Sequence, residues 1–139
     1  QARCMQTMAS LCETAGPDFA AVSHDAHLKE VSTGSYSGRL KAEFPPGELG
    51  GRGRQAWFFR CPGGESHDHL RARLTAWLTS LDGDGHVIAV SHGVAGRVLR
   101  GLYAGWDPDF ALEQDSPQNA LFVLHDGRVD RHECAVAGP

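Results

Sequence analysis

The sequence predicts an α/β sandwich with a mainly parallel sheet, and two observations support this prediction. The first is that segments with helical periodicity alternate with short apolar runs along the chain. The second is the run VIAV at 87–90, which has the composition of a buried strand and leads through Ser-His-Gly into another helical pattern. In domains with this order of elements, helices pack on the faces of a largely parallel sheet.

Three segments have the periodicity of helices with one apolar face. The first covers residues 2–15 and ends at Gly16-Pro17. The second follows Ser66, a favourable N-cap residue, and the third follows 87–90. The apolar positions are Met5, Met8, Leu11 and Cys12 in the first, Leu70, Leu74, Trp77, Leu78 and Leu81 in the second, and Val94, Val98, Leu99 and Leu102 in the third.

Other apolar runs predict further strands. The run FAAV at 19–22 predicts one strand. Residues 119–124, the turn-forming residues 125–127 and the run 128–136 together predict a terminal hairpin. Residues 31–64 are rich in Gly, Ser and Pro and predict a long excursion with little regular structure, a kind of loop that is usually functional or disordered.

Composition limits the class of protein. A chain of 139 residues is expected to form a single domain over 1–139 with a substantial core. The net charge of −4, with no dominant basic stripe, argues against a nucleic-acid partner. No apolar run approaches the about 20 residues that a membrane helix needs, so we expect no membrane partner. The cysteines lack a C-x-x-C pair, which favours buried free thiols in a reducing cytoplasm over a metal site. They are Cys4, Cys12, Cys61 and Cys134.

The stretch VIAVSHGVAGR at 87–97 is the first candidate for chemistry. Ligands of parallel sheets bind beyond the carboxyl ends of strands, and the start of a helix favours anions. His92 can hold a phosphoryl oxygen there, and Gly93 allows close approach of the backbone. Two alternatives stay open: His92 only caps the helix, or Ser91 is the nucleophile of a G-x-S-x-G elbow in which Ala89 replaces the first glycine.

Two further residues have the right chemistry for a site. Glu30 precedes a Gly/Ser-rich loop, and a carboxyl group in a partly dry cleft can act as a general acid; the alternative is a solvated Glu beside Lys29. Arg3 opens the first helix, where a positive charge opposes the helix dipole, so binding of an anion would explain it. The alternative is a solvated terminal arginine. Farther along, Ser66 is expected to cap its helix, and Glu65 either orients an arginine or favours the helix dipole.

Taken in order, these pieces resemble the histidine phosphatase superfamily, also called the phosphoglycerate mutase family. The matching residues extend from residue 3 to about 124, nearly the whole chain. They are Arg3 with Thr7, then Leu28, Glu30, Gly34 and Gly38, then Gly64-Glu65-Ser66 with Arg73, then Ser91-His92-Gly93 with Arg97, and finally Asn119.

The resemblance implies a three-layer α/β/α sandwich of the phosphoglycerate mutase type and a reaction through a phosphohistidine. It assigns phosphate binding to Arg3, His92 and Gly93 and proton donation to Glu30, with no metal and no cofactor. The R-H-G tripeptide that carries the family's nucleophilic histidine is absent from the sequence. We therefore expect the chain to be an N-terminally truncated fragment without the first βαβ portion; the alternative is a phosphate-binding protein that lacks the nucleophile.

The resulting expectation is a phosphoric monoester hydrolase for a small phosphorylated metabolite. The short segment between Glu30 and Glu65 favours hydrolysis over mutase activity. Within it, Arg52, Arg54 and Trp57 are expected to help select the substrate. The alternatives are a non-catalytic phosphoester-binding or scaffold domain, a mutase, and a serine hydrolase that uses Ser91. A homodimer is possible.

Overall fold

The computed structural model describes residues 2–81, 83 and 85–134. This part of the chain is a mixed α/β structure and mostly helical. None of its helices is long and apolar enough to cross a membrane. The helices are α1 (Ala2–Ala15), α2 (His67–Ser80), α3 (Gly93–Ala104) and α4 (Pro108–Glu113), and the strands are β1 (Ala120–His125) and β2 (Arg128–Glu133).

The helices begin and end at residues suited to those positions. Ser66 caps α2, because its hydroxyl oxygen accepts a hydrogen bond from the His69 amide at 3.2 Å. The Asp107 carboxylate accepts from two amides at the start of α4, where Pro108 is the first helical residue. α3 ends at Gly105, whose φ of 66° is in the left-handed region. The three predicted helices are confirmed, and the short α4 was not predicted.

The core lies between α2 and α3. Leu70 and Leu74 of α2 are fully buried, and Val98 of α3 is 3% exposed. α3 also approaches α4 closely at Gly101, where an added Cβ would lie 2.5 Å from the Cβ of Ala111. In α2 and α3, the apolar positions with helical spacing are therefore the ones that form the core.

The excursion predicted over 31–64 contains only turns and short 3₁₀ segments, which confirms that it has little regular structure. Its two ends are hydrogen bonded to each other. The Ser35 amide donates to the Pro62 carbonyl at 3.0 Å, and the Glu65 amide donates to the Ser32 carbonyl at 2.8 Å. The excursion is thus a loop closed at its base, just before α2.

The terminal hairpin is also confirmed. β1 and β2 pair antiparallel, from Ala120 opposite Glu133 to His125 opposite Arg128. Asp126 and Gly127 both have positive φ, at 46° and 70°, as a two-residue hairpin turn of the favoured type requires. Positions 135 and 136 of the predicted second strand lie outside the described residues.

Two predicted strands are not formed within the described part of the chain. Residues 19–22 contain a 3₁₀ turn, because the Asp18 carboxylate accepts from the Ala20 amide at 2.9 Å and closes the backbone there. Residues 87–90 are not part of a sheet, and Val87 and Ile88 are 54% and 61% exposed. A strand needs a neighbour, and the sheet formed by the described residues is the two-stranded antiparallel hairpin. The predicted mainly parallel sheet is therefore not formed within the described part of the chain.

Candidate active site

The first turn of α3 is held by the carboxylate of Glu30. Oε1 accepts hydrogen bonds from the amides of Ala95 at 2.9 Å and Val31 at 3.1 Å, and Oε2 accepts from the Val94 amide at 3.1 Å. First-turn amides have no partner inside their own helix, and the helix dipole favours a negative charge beside them. The sequence predicted an anion at the start of α3, and in the structure the Glu30 carboxylate occupies part of that position.

His92 is the N-cap residue of α3, but its side chain makes no capping hydrogen bond. The imidazole is half-buried, and this burial is the main cause of a lowered pKa. The Glu30 carboxylate opposes the shift in the pKa, whereas the positive charges of Arg3 and Arg73 add to it. The net effect is a pKa below the ordinary value, which favours the neutral imidazole of His92.

The first turn of α1 lies against this histidine through Cys4. The Cys4 sulfur is 3.4 Å from Nε2 of His92, and its thiol donates to the Ser91 carbonyl at 3.1 Å. Burial raises the pKa of the Cys4 thiol, so it stays protonated as a donor. Arg3 is exposed in the same turn, and its carbonyl accepts from the Thr7 hydroxyl at 3.1 Å. The N-terminus of α1 and the N-terminus of α3 thus meet at His92.

Arg73 of α2 holds the backbone of the segment 27–30, which ends at Glu30. Its guanidinium binds the Glu65 carboxylate in two places, with Nε at 2.6 Å from Oε1 and Nη2 at 2.8 Å from Oε2. It also donates to the carbonyls of His27 and, at 3.3 Å, Glu30. Both side chains of the pair are mostly buried, at 18% and 15% exposure. Of the two alternatives for Glu65, orientation of an arginine is the one that the structure bears out.

Ser91 precedes the N-cap residue of α3, His92, and does not cap the helix. Its hydroxyl donates to the Leu28 carbonyl at 2.8 Å and ties residues 86–91 to the segment before Glu30. A carbonyl acceptor does not remove the hydroxyl proton, and in the described part of the chain no histidine or carboxylate bonds to Ser91. The geometry therefore gives the serine-nucleophile alternative no general base.

Gly93 is the first residue of α3, and its position leaves ordinary space around it. An added Cβ would lie 3.8 Å from the Ser116 Cβ and 3.9 Å from Oε2 of Glu30. Both distances are ordinary van der Waals contacts, so no neighbouring protein atom requires a glycine at position 93. The close approach that the sequence analysis expected at Gly93 was that of a ligand.

The three loop residues predicted to select the substrate do not share one set of contacts. The Arg54 amide and guanidinium both donate to Oδ1 of Asp109 in α4, at 2.8 and 3.2 Å. Trp57 packs edge-on against Phe58, with ring centroids 5.7 Å apart. Arg52 is exposed and lines a cavity beside α3. Glu30, His92 and Gly93 therefore come together at the start of α3, with Arg3 in the adjoining turn, whereas the loop residues lie toward α4.

The sequence reasoning missed two contacts at this site. One is the Cys4 thiol against His92, for which the only signal was that Cys4 follows Arg3. The other is Ser116, whose hydroxyl accepts from Nε of Arg97 at 3.0 Å and donates to the Gly93 carbonyl at 3.1 Å. Among the residues that the structure describes, no three metal-ligating side chains lie close enough together to hold a metal ion.

Comparison with known families identifies the superfamily of the chain. A sequence model of the histidine phosphatase superfamily (branch 1) matches residues 1–132. Because the match covers most of the chain, the chain belongs to this superfamily, a family of phosphatases and mutases, and the resemblance noted in the sequence is confirmed. The family implies a fold of the phosphoglycerate mutase type. The search of solved structures gave no match.

Proposed function

We propose that the chain carries most of the phosphate site of a phosphoric monoester hydrolase that acts through a phosphohistidine on a small phosphorylated metabolite. Family membership supports the reaction class. The single observation that supports the site is the meeting of Glu30 and His92 at the first turn of α3, next to the turn that carries Arg3.

In this proposal His92 and Arg3 bind the phosphoryl oxygens, together with amides of the first turn of α3. A neutral His92 donates one N–H, and uptake of a proton adds a positive charge against the developing negative charge on phosphorus. A nucleophilic histidine bonds to phosphorus as the bond from phosphorus to the ester oxygen breaks, and the Glu30 carboxyl group gives its proton to that oxygen. Water then bonds to phosphorus and returns a proton to the Glu30 carboxylate as the bond from phosphorus to histidine breaks, which releases phosphate.

The nucleophilic histidine belongs to an R-H-G segment that residues 1–139 do not contain. We propose that this segment lies on a strand beside 87–90, within the three-layer α/β/α sandwich and mainly parallel sheet of the family. The apolar side chains of Val87 and Ile88, which are exposed in the structure, would then be covered.

The contacts of Glu30 add a requirement to this mechanism. Its two oxygens accept three amide hydrogens, including two from α3. A phosphoryl group that uses the same α3 amides displaces the carboxylate, which is then free to take up a proton and turn toward the leaving group. Binding of phosphate and release of Glu30 are therefore coupled steps of the proposal.

A second candidate is a phosphoester-binding domain without catalysis; the contacts of Glu30, whose carboxylate accepts three amide hydrogens and not a ligand's proton, are compatible with it. This candidate retains Arg3 and His92 as phosphate ligands and has no phosphorylated intermediate.

Hydrolysis of an aryl phosphate and an alkyl phosphate by the natural protein tests the proposal. We expect His92→Ala to lower kcat/KM for both esters by about a hundredfold. Glu30→Gln is expected to lower kcat far more for the alkyl ester, because an aryl oxide leaves without a proton donor. Ser91→Ala, the matched control beside His92, is expected to have a small effect.

Trapping of an acid-labile phosphoenzyme separates the two candidates. Phosphate binding with neither turnover nor phosphoenzyme supports the binding domain and contradicts the hydrolase. A protein that hydrolyses the esters equally well after His92→Ala contradicts the assignment of the site.

A further inference from the structure

A cavity of about 200 Å³ lies between α2, α3 and the start of α4. Its lining includes His67 and Arg71 of α2, Val98 and Leu102 of α3, and Trp106, which precedes α4. Since liquid water takes about 30 Å³ per molecule, the cavity has room for about six waters or for one small organic molecule.

His67 brings a buried polar group without a partner to this cavity. The residue is 7% exposed, and within the described part of the chain its Nδ1 has no hydrogen-bond partner. Oδ1 of Asp68 is 3.9 Å from Nδ1, too far for a hydrogen bond, and the Asp68 side chain is 97% exposed. A buried nitrogen that is left unpaired costs stability, so a ligand that bonds to it gains affinity.

The His67 ring is held in place and favours its neutral form. Phe59 packs edge-on against it, with ring centroids 5.0 Å apart. Burial is the main cause of a lowered pKa of His67, and the positive charge of Arg71 adds to this shift. A neutral imidazole carries one N–H, and a carboxylate oxygen beside Nδ1 selects the tautomer that has the hydrogen there.

Arg71 provides a positive charge on the same face of α2. It follows His67 by four residues, which is about one helical turn. Arg71 is half-buried and, among the residues that the structure describes, makes neither a side-chain hydrogen bond nor an ion pair. The charge of the Asp109 carboxylate also acts on His67, but Asp109 is paired with Arg54. Because the described lining contains no carboxylate, Arg71 makes the cavity favourable for an anion.

The rest of the lining is largely apolar. Val98, Leu102 and Ala111 contribute aliphatic surface. Trp106 contributes an aromatic ring that packs edge-on against Phe110, with ring centroids 5.4 Å apart. Apolar walls with a few polar groups are typical of sites for small molecules, and here they favour a ligand with one charged end and an apolar body.

We propose that this cavity binds a small organic carboxylate with an apolar body. The carboxylate pairs with Arg71 and accepts a hydrogen bond from His67, while the body of the ligand contacts Trp106. Neither Glu30 nor His92 lines the cavity, so the site is separate from the candidate active site and does not depend on the proposed function.

Binding of benzoate to the natural protein, measured by calorimetry, tests the proposal. Benzamide has the same shape without the charge, and acetate has the charge without the ring. We expect each to bind about tenfold more weakly than benzoate, because benzamide loses the ion pair with Arg71 and acetate leaves the apolar walls uncovered. Arg71→Gln should abolish the preference for benzoate over benzamide. His67→Phe, which keeps a buried ring, should weaken benzoate binding about tenfold.

Two matched controls lie outside the cavity. His69→Phe changes an exposed histidine of the same helix, and Arg128→Gln removes an exposed arginine of β2. Both should leave benzoate binding unchanged, as should His92→Ala in the candidate active site. If His67→Phe does not fold, Arg71→Gln at its half-buried position still decides the question.

The proposal is overturned by the absence of benzoate binding or by a preference over benzamide that survives Arg71→Gln. Losses of equal size in either control variant overturn it too. A loss of benzoate binding in His92→Ala would place benzoate in the candidate active site and would likewise contradict a separate carboxylate site.

Discussion

Residues 87–90 and the first turn of α3 are neighbours in the chain, but they differ sharply in their contacts. The first turn of α3 has hydrogen-bond partners for its amides, whereas residues 87–90 have no neighbouring strand in the described part of the chain. At the start of α3, the amides of Val94 and Ala95 donate to Glu30, and the Gly96 amide donates to the His92 carbonyl. Directly before it, Val87 and Ile88 are more than half exposed in a segment outside any sheet. A helix completes its hydrogen bonds within four residues of its own chain, whereas a strand depends on another strand.

This difference indicates where stability resides in the described part of the chain. The helices α2 and α3 provide most of the apolar core, and the polar network around Glu30 and Arg73 joins the loop segments to them. The segment 87–90 has the sequence of a core element without its burial. Substitutions in the two regions should therefore have very different effects on the free energy of unfolding.

Removal of a core side chain of α2 should have the largest effect. Leu74→Ala leaves a cavity at a fully buried position, and we expect a loss of about 3 kcal/mol of unfolding free energy in urea denaturation. Thr75→Ala, one residue along the same helix and exposed, is the control and should change stability by less than about 0.5 kcal/mol. Similar losses for both variants would contradict the described packing of α2 on α3.

The sequence predicted the parts of the fold that depend on local pattern. The spacing of Leu70 and Leu74 indicated α2, and Asp126-Gly127 indicated the hairpin turn. The run 19–22 was misread as a strand because the sequence pattern did not reveal that the Asp18 side chain closes a turn there. The short α4 has only six residues, too few for a periodic pattern to identify it.

The sequence predicted which residues belong to the candidate site, but it did not predict which of them are in contact. Glu30, His92 and Arg3 were named from motifs, and their functional roles stay predictions. The contacts that define the geometry of the site join distant parts of the chain. Glu30 is 64 positions from Val94 and 65 from Ala95, and Cys4 is 88 positions from His92. Periodicity reports on neighbours within a few residues, so it contains no information about such pairs.

Two of the arginine–carboxylate pairs, one mostly buried and one exposed, allow the same comparison for polar contacts. Arg73→Gln breaks a mostly buried two-point pair with Glu65 and removes two bonds to carbonyls, so we expect a loss of about 2–3 kcal/mol in unfolding free energy. Arg54→Gln breaks an exposed pair with Asp109 and should cost less than about 1 kcal/mol. An equal cost for both would show that the network beneath Glu30 contributes no special stability.

The pH dependence of anion binding tests the role of His92 at the start of α3, and the expected effect is smaller than those of the core and ion-pair substitutions. Burial lowers the pKa of the free imidazole below its ordinary value of 6.5, and a bound anion would raise it again by stabilising the imidazolium. Binding then takes up a proton, and the affinity for sulfate should increase as the pH falls below about 7, by no more than about tenfold per pH unit. Calorimetry in buffers of different ionisation enthalpy measures the proton uptake directly.

His92→Gln is the control for this titration, since it keeps a hydrogen-bonding side chain that does not ionise in this range. We expect it to remove both the proton uptake and the pH dependence of sulfate binding. Proton uptake that persists in the variant would assign the titration to another group and contradict a role for His92 in holding the anion.

The smallest effect is expected in the segment 87–90 itself. Ile88→Thr keeps a β-branched side chain at a position that is 61% exposed, so in the 139-residue chain it should change the unfolding free energy by less than about 0.5 kcal/mol. Val98→Thr places a hydroxyl group at a position that is 3% exposed in α3 and should cost about 1–3 kcal/mol. In a protein that also has the proposed R-H-G strand, Ile88 would be covered by its neighbours, and the two costs should become similar. A cost for Ile88→Thr that stays small there would contradict the proposed parallel sheet, because a strand buried between two neighbours does not tolerate the loss of apolar surface.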